Sequence, residues 1–320
     1  MEEEKPPFVS VLVPVYNRAT LIGPCVESAL AQSFGDLEVI IVDNASTDRT
    51  WSVCEELATR DRRVRIFRNE TNVGPVRNIA VCLEKARGHL GKLLFSDDLI
   101  FPEFLSRSVP FLEDSDTGLV FTATRVGVLD GETRVDYAWS EEPEVVPTER
   151  YLIKALLTNT LPVSPGCALF RTADLRKNLT PDIPSPTISD WLDHGGGPDL
   201  LFYLLTASQY KQVAHLVEPL SFFRAHPGSI TTSDRTGFLT ARYQQARIWF
   251  AESRGIAGIV PKLLAREWID TMIRERKFTS PGQSSARYTR SSSLSKSEAL
   301  RYAGLAIARK LLSVLGRKRV

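Results

Sequence analysis

The 320-residue sequence has no CxxC pair among its four cysteines, Cys25, Cys54, Cys82 and Cys167. That removes the usual thiol metal and redox motifs and leaves reduced thiols as the expected state. No apolar run is long enough to span a bilayer, and no cationic, apolar leader opens the chain. We therefore expect a cytoplasmic protein, with any membrane contact peripheral on the inner face of the cell membrane. A net charge of +2 is too small to point to nucleic acid. Neither GxxxxGK[ST] nor GxGxxG follows the first apolar run, which argues against a P-loop NTPase and an ordinary dinucleotide-binding protein. What is present is 43% hydrophobic and 24% charged, the make-up of a globular chain with a sizeable core. Its length suits one large domain or two moderate ones.

Apolar runs and helical stretches alternate along the first hundred residues. FVSVLVPVY reads as a strand that ends in a turn at Asn17, and ATLIGPCVESALAQS has helical spacing despite Pro24. LEVIIVDN is a second strand, continuous enough to be buried on both faces. Ser46, Thr47 and Asp48 offer a cap for the helix RTWSVCEELATR. VRIFRN, a helix from about Pro75 to Ala86, and KLLF follow. This alternation predicts a parallel sheet with helices on its faces. Ligands of such sheets bind beyond the carboxyl ends of the strands, where Asn17, Asp43, Asn69 and Asp97 fall. Further on, a helix is expected from Pro102 to Glu113, and GLVFTATRVGVLDGETRVDYAW predicts a hairpin turning at Asp130-Gly131. The region from Pro147 to Leu205 reads as irregular, with a short helix in DLLFYLLTAS. KQVAHLVEPLSFFRAHPGSIT reads as two short strands and a loop.

GKLLFSDDLIFP places two adjacent carboxylates, Asp97 and Asp98, at the mouth of an apolar run. They serve as a helix cap before FPEFL, as a solvated turn, or as hard oxygen ligands for Mg2+ or Mn2+ on a diphosphate. Asp43 is either a turn residue or an acceptor for a base N–H or a ribose hydroxyl. Read by itself, His226 is a packed loop histidine.

SVLVPVYNRATLI, EVIIVDNASTDRT, NVGPVRN and KLLFSDDLIFPEFL together resemble, in order and spacing, the family 2 glycosyltransferases of the GT-A fold. The resemblance covers about Phe8 to Ile230. It implies an α/β GT-A fold with a mostly parallel central sheet flanked by helices, followed by a helical C-terminal extension. It also implies an inverting enzyme that uses Mn2+ or Mg2+ to move a sugar from a nucleotide diphosphate sugar, UDP by default. The acceptor would be a hydroxyl of a glycan or lipid-linked molecule in cell-surface polysaccharide or glycoconjugate synthesis. Pro14, Tyr16 and Asn17 match the family's first nucleotide-contacting loop, and Asp43 matches its base-reading aspartate. Asn72, Gly74 and Arg77 lie in the loop that closes over the nucleotide. Ser96, Asp97 and Asp98 occupy the Asp-x-Asp motif, with serine in the first place. Asp98 is the implied metal ligand with His226, Asp97 serves ribose or metal-bound water, and Arg224 serves the diphosphate. Asp199 matches the general base, although Pro198 stands where the family has glutamate. Asp190 is the competitor.

These readings divide the chain into a glycosyltransferase domain, 1–235, and a helical region, 236–320. The domain's nucleotide-binding half is about 8–100 and its acceptor-binding half about 101–235. A Ser-rich linker is expected at 280–297 and a basic amphipathic helix at 298–316. Leu300, Ile307, Leu311 and Val314 share one face of that helix. It either packs on the body or a second copy in a homodimer, or lies on an anionic membrane. Two rival functions are a sugar nucleotidyltransferase and a non-catalytic scaffold. The first normally carries a Gly-rich basic loop where this chain reads PVYNRAT. Ser96 and Pro198 keep the second in play.

Overall fold

A computed structural model divides the chain into two compact units, residues 1–181 with 190–237, and residues 182–189 with 238–320. The structure describes residues 5–226, 238–256, 258–275, 279–302 and 304.

The first unit is built on one sheet. Its strands β1 (Val9–Val15), β2 (Leu37–Asp43), β3 (Val64–Arg68) and β4 (Leu90–Leu93) form from the apolar runs. They pair in parallel, β1 between β2 and β4, with β3 outside β2. Every residue of β2 is buried, as expected of a strand covered on both faces. The crossovers are α1 (Ile22–Leu30), α2 (Thr50–Arg60) and α3 (Pro75–Lys85). In α1 the buried residues Ile22, Cys25, Val26 and Ala29 keep helical spacing and form the face turned to the core. Pro24 is tolerated because the first turn of a helix has no partner for its N–H groups.

Next come β5 (Leu99–Ile100), α4 (Phe104–Ser108) and the hairpin of β6 (Thr117–Gly127) with β7 (Thr133–Asp136). The hairpin turns at Asp130, whose φ of 60° suits the Asp-Gly pair. The helix expected as far as Glu113 stops at Ser108 and tightens into a 3₁₀ turn, Val109–Leu112, where Pro110 removes a helix donor. The remaining elements are β8 (Val145–Pro147), α5 (Thr148–Leu157), β9 (Ala168–Arg171), α6 (Thr172–Asn178), α7 (Trp191–His194), α8 (Pro198–Ala207) and β10 (Gln212–Arg224).

The full order is β3-β2-β1-β4-β9-β6-β10-β5, with β7 on β6 and β8 on β10. The sheet is mostly parallel, as expected, with antiparallel pairings at β5, β7, β8 and β9. β9 runs antiparallel to both β4 and β6, while β6 and β10 are parallel. Four residues are too few for β9 to show a period, and its partners are distant in sequence. The two short strands expected in KQVAHLVEPLSFF are one strand, β10, whose register slips on either side of Pro219. Proline there removes a ladder donor, so the strand bulges instead of stopping.

The second unit contains α9 (Phe238–Ser253), α10 (Val260–Glu275) and α11 (Pro281–Ser285). The Ser-rich stretch, expected as a linker, is folded. Ser280 and Gln283 form a capping box at the start of α11. Ser285 Oγ donates to Pro281 O, and Thr289 and Ser292 both donate to Glu252. The buried Tyr288 donates to Glu267 at 2.7 Å. The predicted helix 298–316 is helical at 298–302 and at 304, and its remaining residues lie outside the described ones. No helix among the described residues is long and apolar enough to cross a membrane.

At the amino ends of the strands Glu38 is a buried charge beneath its register partner Ser10. It accepts from Ser10 Oγ at 2.7 Å, the Arg87 N–H at 2.8 Å and Arg65 Nη1 at 2.8 Å. Burial alone would push its carboxyl up, but the bonds from Ser10, Arg65 and Arg87 outweigh it and hold the pKa below the ordinary value. Glu38→Gln should lower unfolding free energy by about 3 kcal/mol, read from urea midpoints. The depressed folded-state pKa makes this contribution full above the unfolded-state pKa. It is lost as pH falls through the folded-state pKa, so variant and wild type should converge in acid.

Candidate active site

The loops that leave β1 and β2 hold each other. Asn17 takes φ 51°, a left-handed turn that asparagine tolerates. Its N–H donates to Ser46 Oγ at 2.9 Å, and its Oδ1 accepts from the Thr47 N–H at 2.8 Å. Asp48, expected as a cap, accepts from the Thr50 N–H at 2.9 Å and also from the Ala19 N–H at 3.2 Å. It joins the start of α2 to the first loop. Pro14 is half-buried beside this loop and Tyr16 is exposed at its start.

Asp43, the last residue of β2, is fully buried. It meets Arg68 Nε at 3.0 Å and the Ser46 N–H at 3.3 Å. Beside it Asn44 organises a polar web. Its Oδ1 accepts from Asn69 Nδ2 and the Val73 N–H, and its Nδ2 donates to Asn72 Oδ1 at 2.7 Å. Asn72 Oδ1 also accepts from the Gly74 N–H. Gly74 takes φ 83°, and a Cβ there would lie 2.6 Å from the Leu192 carbonyl of α7. Only glycine fits this position, where the loop is clamped between β2 and α7. Arg77 is exposed in the first turn of α3.

The acidic pair follows β4. Asp98 is 9% exposed and accepts from the Arg224 N–H at 3.0 Å. Burial first, then the charge of Asp97, pushes its carboxyl well up. Asp97 lies 3.0 Å from His226 Nε2 and 3.7 Å from Arg18 Nε. The antiparallel register of β5 and β10, Leu99 opposite Phe222, carries Arg224 to the carboxylates. Arg224 Nε and Nη2 are buried and make no hydrogen bond to a described residue. Ser96 is buried behind the pair. The structure therefore brings Asp97, Asp98, Arg224 and His226 together, with His226 against Asp97 and not Asp98.

Sequence reasoning missed Lys92. It is fully buried in β4, donates to the Gly166 carbonyl and lies 4.4 Å from the Phe104 ring centroid. Burial pulls its pKa down to about 7, against the charges of Cys167, Asp98 and Cys25. The signal was a lone cation inside the apolar run GKLLF. Arg18 and Arg68 were also missed, because their carboxylate partners are distant in sequence.

Asp199 is the second residue of α8, after Pro198. Its Oδ1 accepts from the Gly197 and Leu200 N–H groups, both at 2.8 Å. One turn later Tyr203 donates to the Ser164 carbonyl at 2.8 Å and lies 3.5 Å from the Cys167 sulfur. The turn Ser164–Cys167, whose Gly166 carbonyl holds Lys92, thus links the helix of Asp199 to the buried cation behind Asp98. Asp190 starts α7, the helix that abuts Gly74.

A family model for glycosyl transferase family 2 matches residues 10–179. A putative glycosyltransferase, EpsH, of Bacillus subtilis (strain 168) is 29% identical over 225 residues, 70% of this chain and 62% of that protein. The chain spans less than two thirds of the length of the curated relatives it matches. Among solved structures, S. aureus TarS 1-349 in complex with UDP-GlcNAc superposes with a TM-score of 0.62 at 22% identity, over 83% of this chain and 74% of that one. A mannosyltransferase, PcManGT, from Pyrobaculum calidifontis in complex with GDP-Man and Mn2+ gives 0.54 at 17% identity, over 98% and 81%. These likenesses show the GT-A fold.

Lys92 sets a pH dependence. Its folded-state pKa, about 7, lies below that of an unfolded lysine. The unfolded state therefore binds more protons above neutrality, and wild type should gain stability as pH rises from about 7 towards about 10. Lys92→Met should show no such rise, and denaturation midpoints of the two proteins across that range check it.

Proposed function

The chain belongs to glycosyl transferase family 2, and from that premise we propose that it is an inverting transferase. It moves a sugar from a nucleotide diphosphate sugar, with UDP as the carrier, to a hydroxyl of a glycan or lipid-linked acceptor. The observation that carries this reading is the acidic pair at the carboxyl edge, faced by Arg18, Arg224 and His226.

The donor fits this edge from base to diphosphate. A carboxylate has about four acceptor sites. Arg68 and the Ser46 N–H leave Asp43 capacity for one N–H of a base. Tyr16, Asn17 and the clamped loop of Asn72 and Gly74 border the nucleotide, with Arg77 at the loop's end, and Ser96 and Asp97 take the ribose end. The two unsatisfied nitrogens of Arg224 suit phosphate oxygens, and leaving them buried and unbonded is costly until such a ligand arrives.

A divalent cation fits the same residues. Asp98 is buried beside a second carboxylate, and a hard cation would relieve the repulsion. No group of three or more His, Cys, Asp or Glu side chains able to hold a metal occurs among the described residues. Diphosphate and water would therefore complete the shell. Asp98 would hold Mn2+ or Mg2+, with His226 as the nitrogen donor, and the bound ion supplies Lewis-acid neutralisation of the diphosphate.

Asp199 accepts the proton of the acceptor hydroxyl as its oxygen bonds to the anomeric carbon. The bond from that carbon to the diphosphate breaks, and its electron pair leaves on the phosphate oxygen, where Arg224 and Arg18 stabilise the charge. Attacker and leaving group on opposite sides give inversion without a covalent intermediate. The N–H groups of Gly197 and Leu200 fix the orientation of the Asp199 carboxylate.

Asp199→Asn should cut release of UDP from a UDP-sugar and acceptor by about a thousandfold or more while UDP affinity changes little. Loss of turnover in Asp190→Asn, with Asp199→Asn active, would transfer the role to Asp190. UDP with Mn2+ should raise the thermal midpoint of wild type by mass action and leave that of Asp98→Ala nearly unmoved. Full turnover in excess chelator would remove the metal from the scheme.

A further inference from the structure

Tyr137 is the residue after β7 and takes φ 66°, an unusual left-handed conformation for a tyrosine. Such conformations persist where surrounding contacts impose them, and they concentrate at sites that bind ligands. Here the contacts are those of the hairpin. Asp136 is the register partner of Thr124 on β6. The Thr124 hydroxyl meets Ser221 Oγ at 2.9 Å, and on the same strand Phe121 pairs antiparallel with Ala168, so the chain just before Ala168, Cys167 first, runs alongside β6 towards Thr124. Tyr137 therefore leaves β7 beside Cys167, at the turn that links the Asp199 helix to Lys92. On the other side of that turn, a Cβ on Gly166 would lie 3.0 Å from the Phe223 ring, next to Arg224. The turn beside Tyr137 is thus tied to the helix of the proposed base through Tyr203 and to the strand of the proposed diphosphate contact through Phe223.

We infer that Tyr137 is the acceptor platform, its ring covering one face of the incoming sugar and its hydroxyl donating to that sugar's oxygens. This rests on reading Asp199 as the base. No hydrogen bond from the Tyr137 hydroxyl reaches another described residue, and the half-buried residue keeps a path to solvent. Burial, then the charges of Cys167, Asp136 and Asp199, pushes the phenol up, so it stays a neutral donor beside a carboxylate. A tyrosine offers what sugar recognition needs, a flat apolar body and a polar tip.

The test uses the full chain with and without UDP and Mn2+. Its probes are methyl β-D-glucopyranoside, methyl β-D-galactopyranoside and methyl α-D-mannopyranoside. Saturation-transfer NMR should show ring-proton contact between wild type and at least one glycoside. Tyr137→Ala should weaken that glycoside about tenfold or more, with UDP affinity changed less than about twofold. Tyr137→Phe keeps the ring and guards against misfolding, and it should retain contact at reduced affinity. Three results would overturn the inference: no glycoside contact in wild type, unchanged glycoside affinity in Tyr137→Ala, or equal loss of UDP. These readouts need no turnover. An Asp199→Asn variant that still transfers sugar would sink the base assignment and leave the glycoside result to be judged by itself.

Discussion

Two adjacent carboxylates at the end of a buried strand are the constraint around which this molecule is arranged. Neither charge can be left uncompensated so close to an apolar core. The chain answers with a graded set of partners. Asp98, the deeper of the two, accepts a backbone N–H from Arg224 and has Lys92 in the core behind it. Asp97, nearer solvent, meets His226 and Arg18. These partners come from β4, β10 and the loop after β1, so the pair is assembled only when the sheet is complete. The repulsion that remains is what the proposed cation would relieve.

The same logic separates the two ends of the parallel strands. At the amino ends Glu38 is saturated by Ser10, Arg65 and Arg87, and nothing is left to bind. At the carboxyl ends Arg224 keeps unsatisfied nitrogens and Asp98 is pushed towards protonation. One edge spends its polar groups on stability, and the other holds them in reserve.

Much of the nucleotide half is legible in the sequence, because its information is local. VSVLVPV, LEVIIVD and VRIFR state their strands by apolar run, and Asp130-Gly131 states its hairpin by turn chemistry. The polar residues that end those strands are legible as a set, since parallel strands send their carboxyl ends to one edge. What is not legible depends on pairing across the chain. Strand β9 is four residues long and is defined by partners near residues 90 and 120. Lys92 is meaningful only beside Gly166, and Arg68 only beside Asp43. Serines between 280 and 297 have the composition of a spacer, yet their hydroxyls cap α11 and reach Glu252. Tyr137 carries no sequence signal, because its backbone conformation is imposed by the hairpin and its surroundings.

β9 has one more consequence, for motion. It is hydrogen-bonded to β4 on one side and β6 on the other, so a continuous sheet runs beneath both the acidic pair and the strands of the Asp199 side. Hinge closure between these halves would have to break that ladder. Any opening and shutting around a ligand therefore belongs to the loops above the sheet, while the floor between the acidic pair and the Asp199 side stays at constant span. The strand acts as a fixed ruler, and a change in its register would change that span.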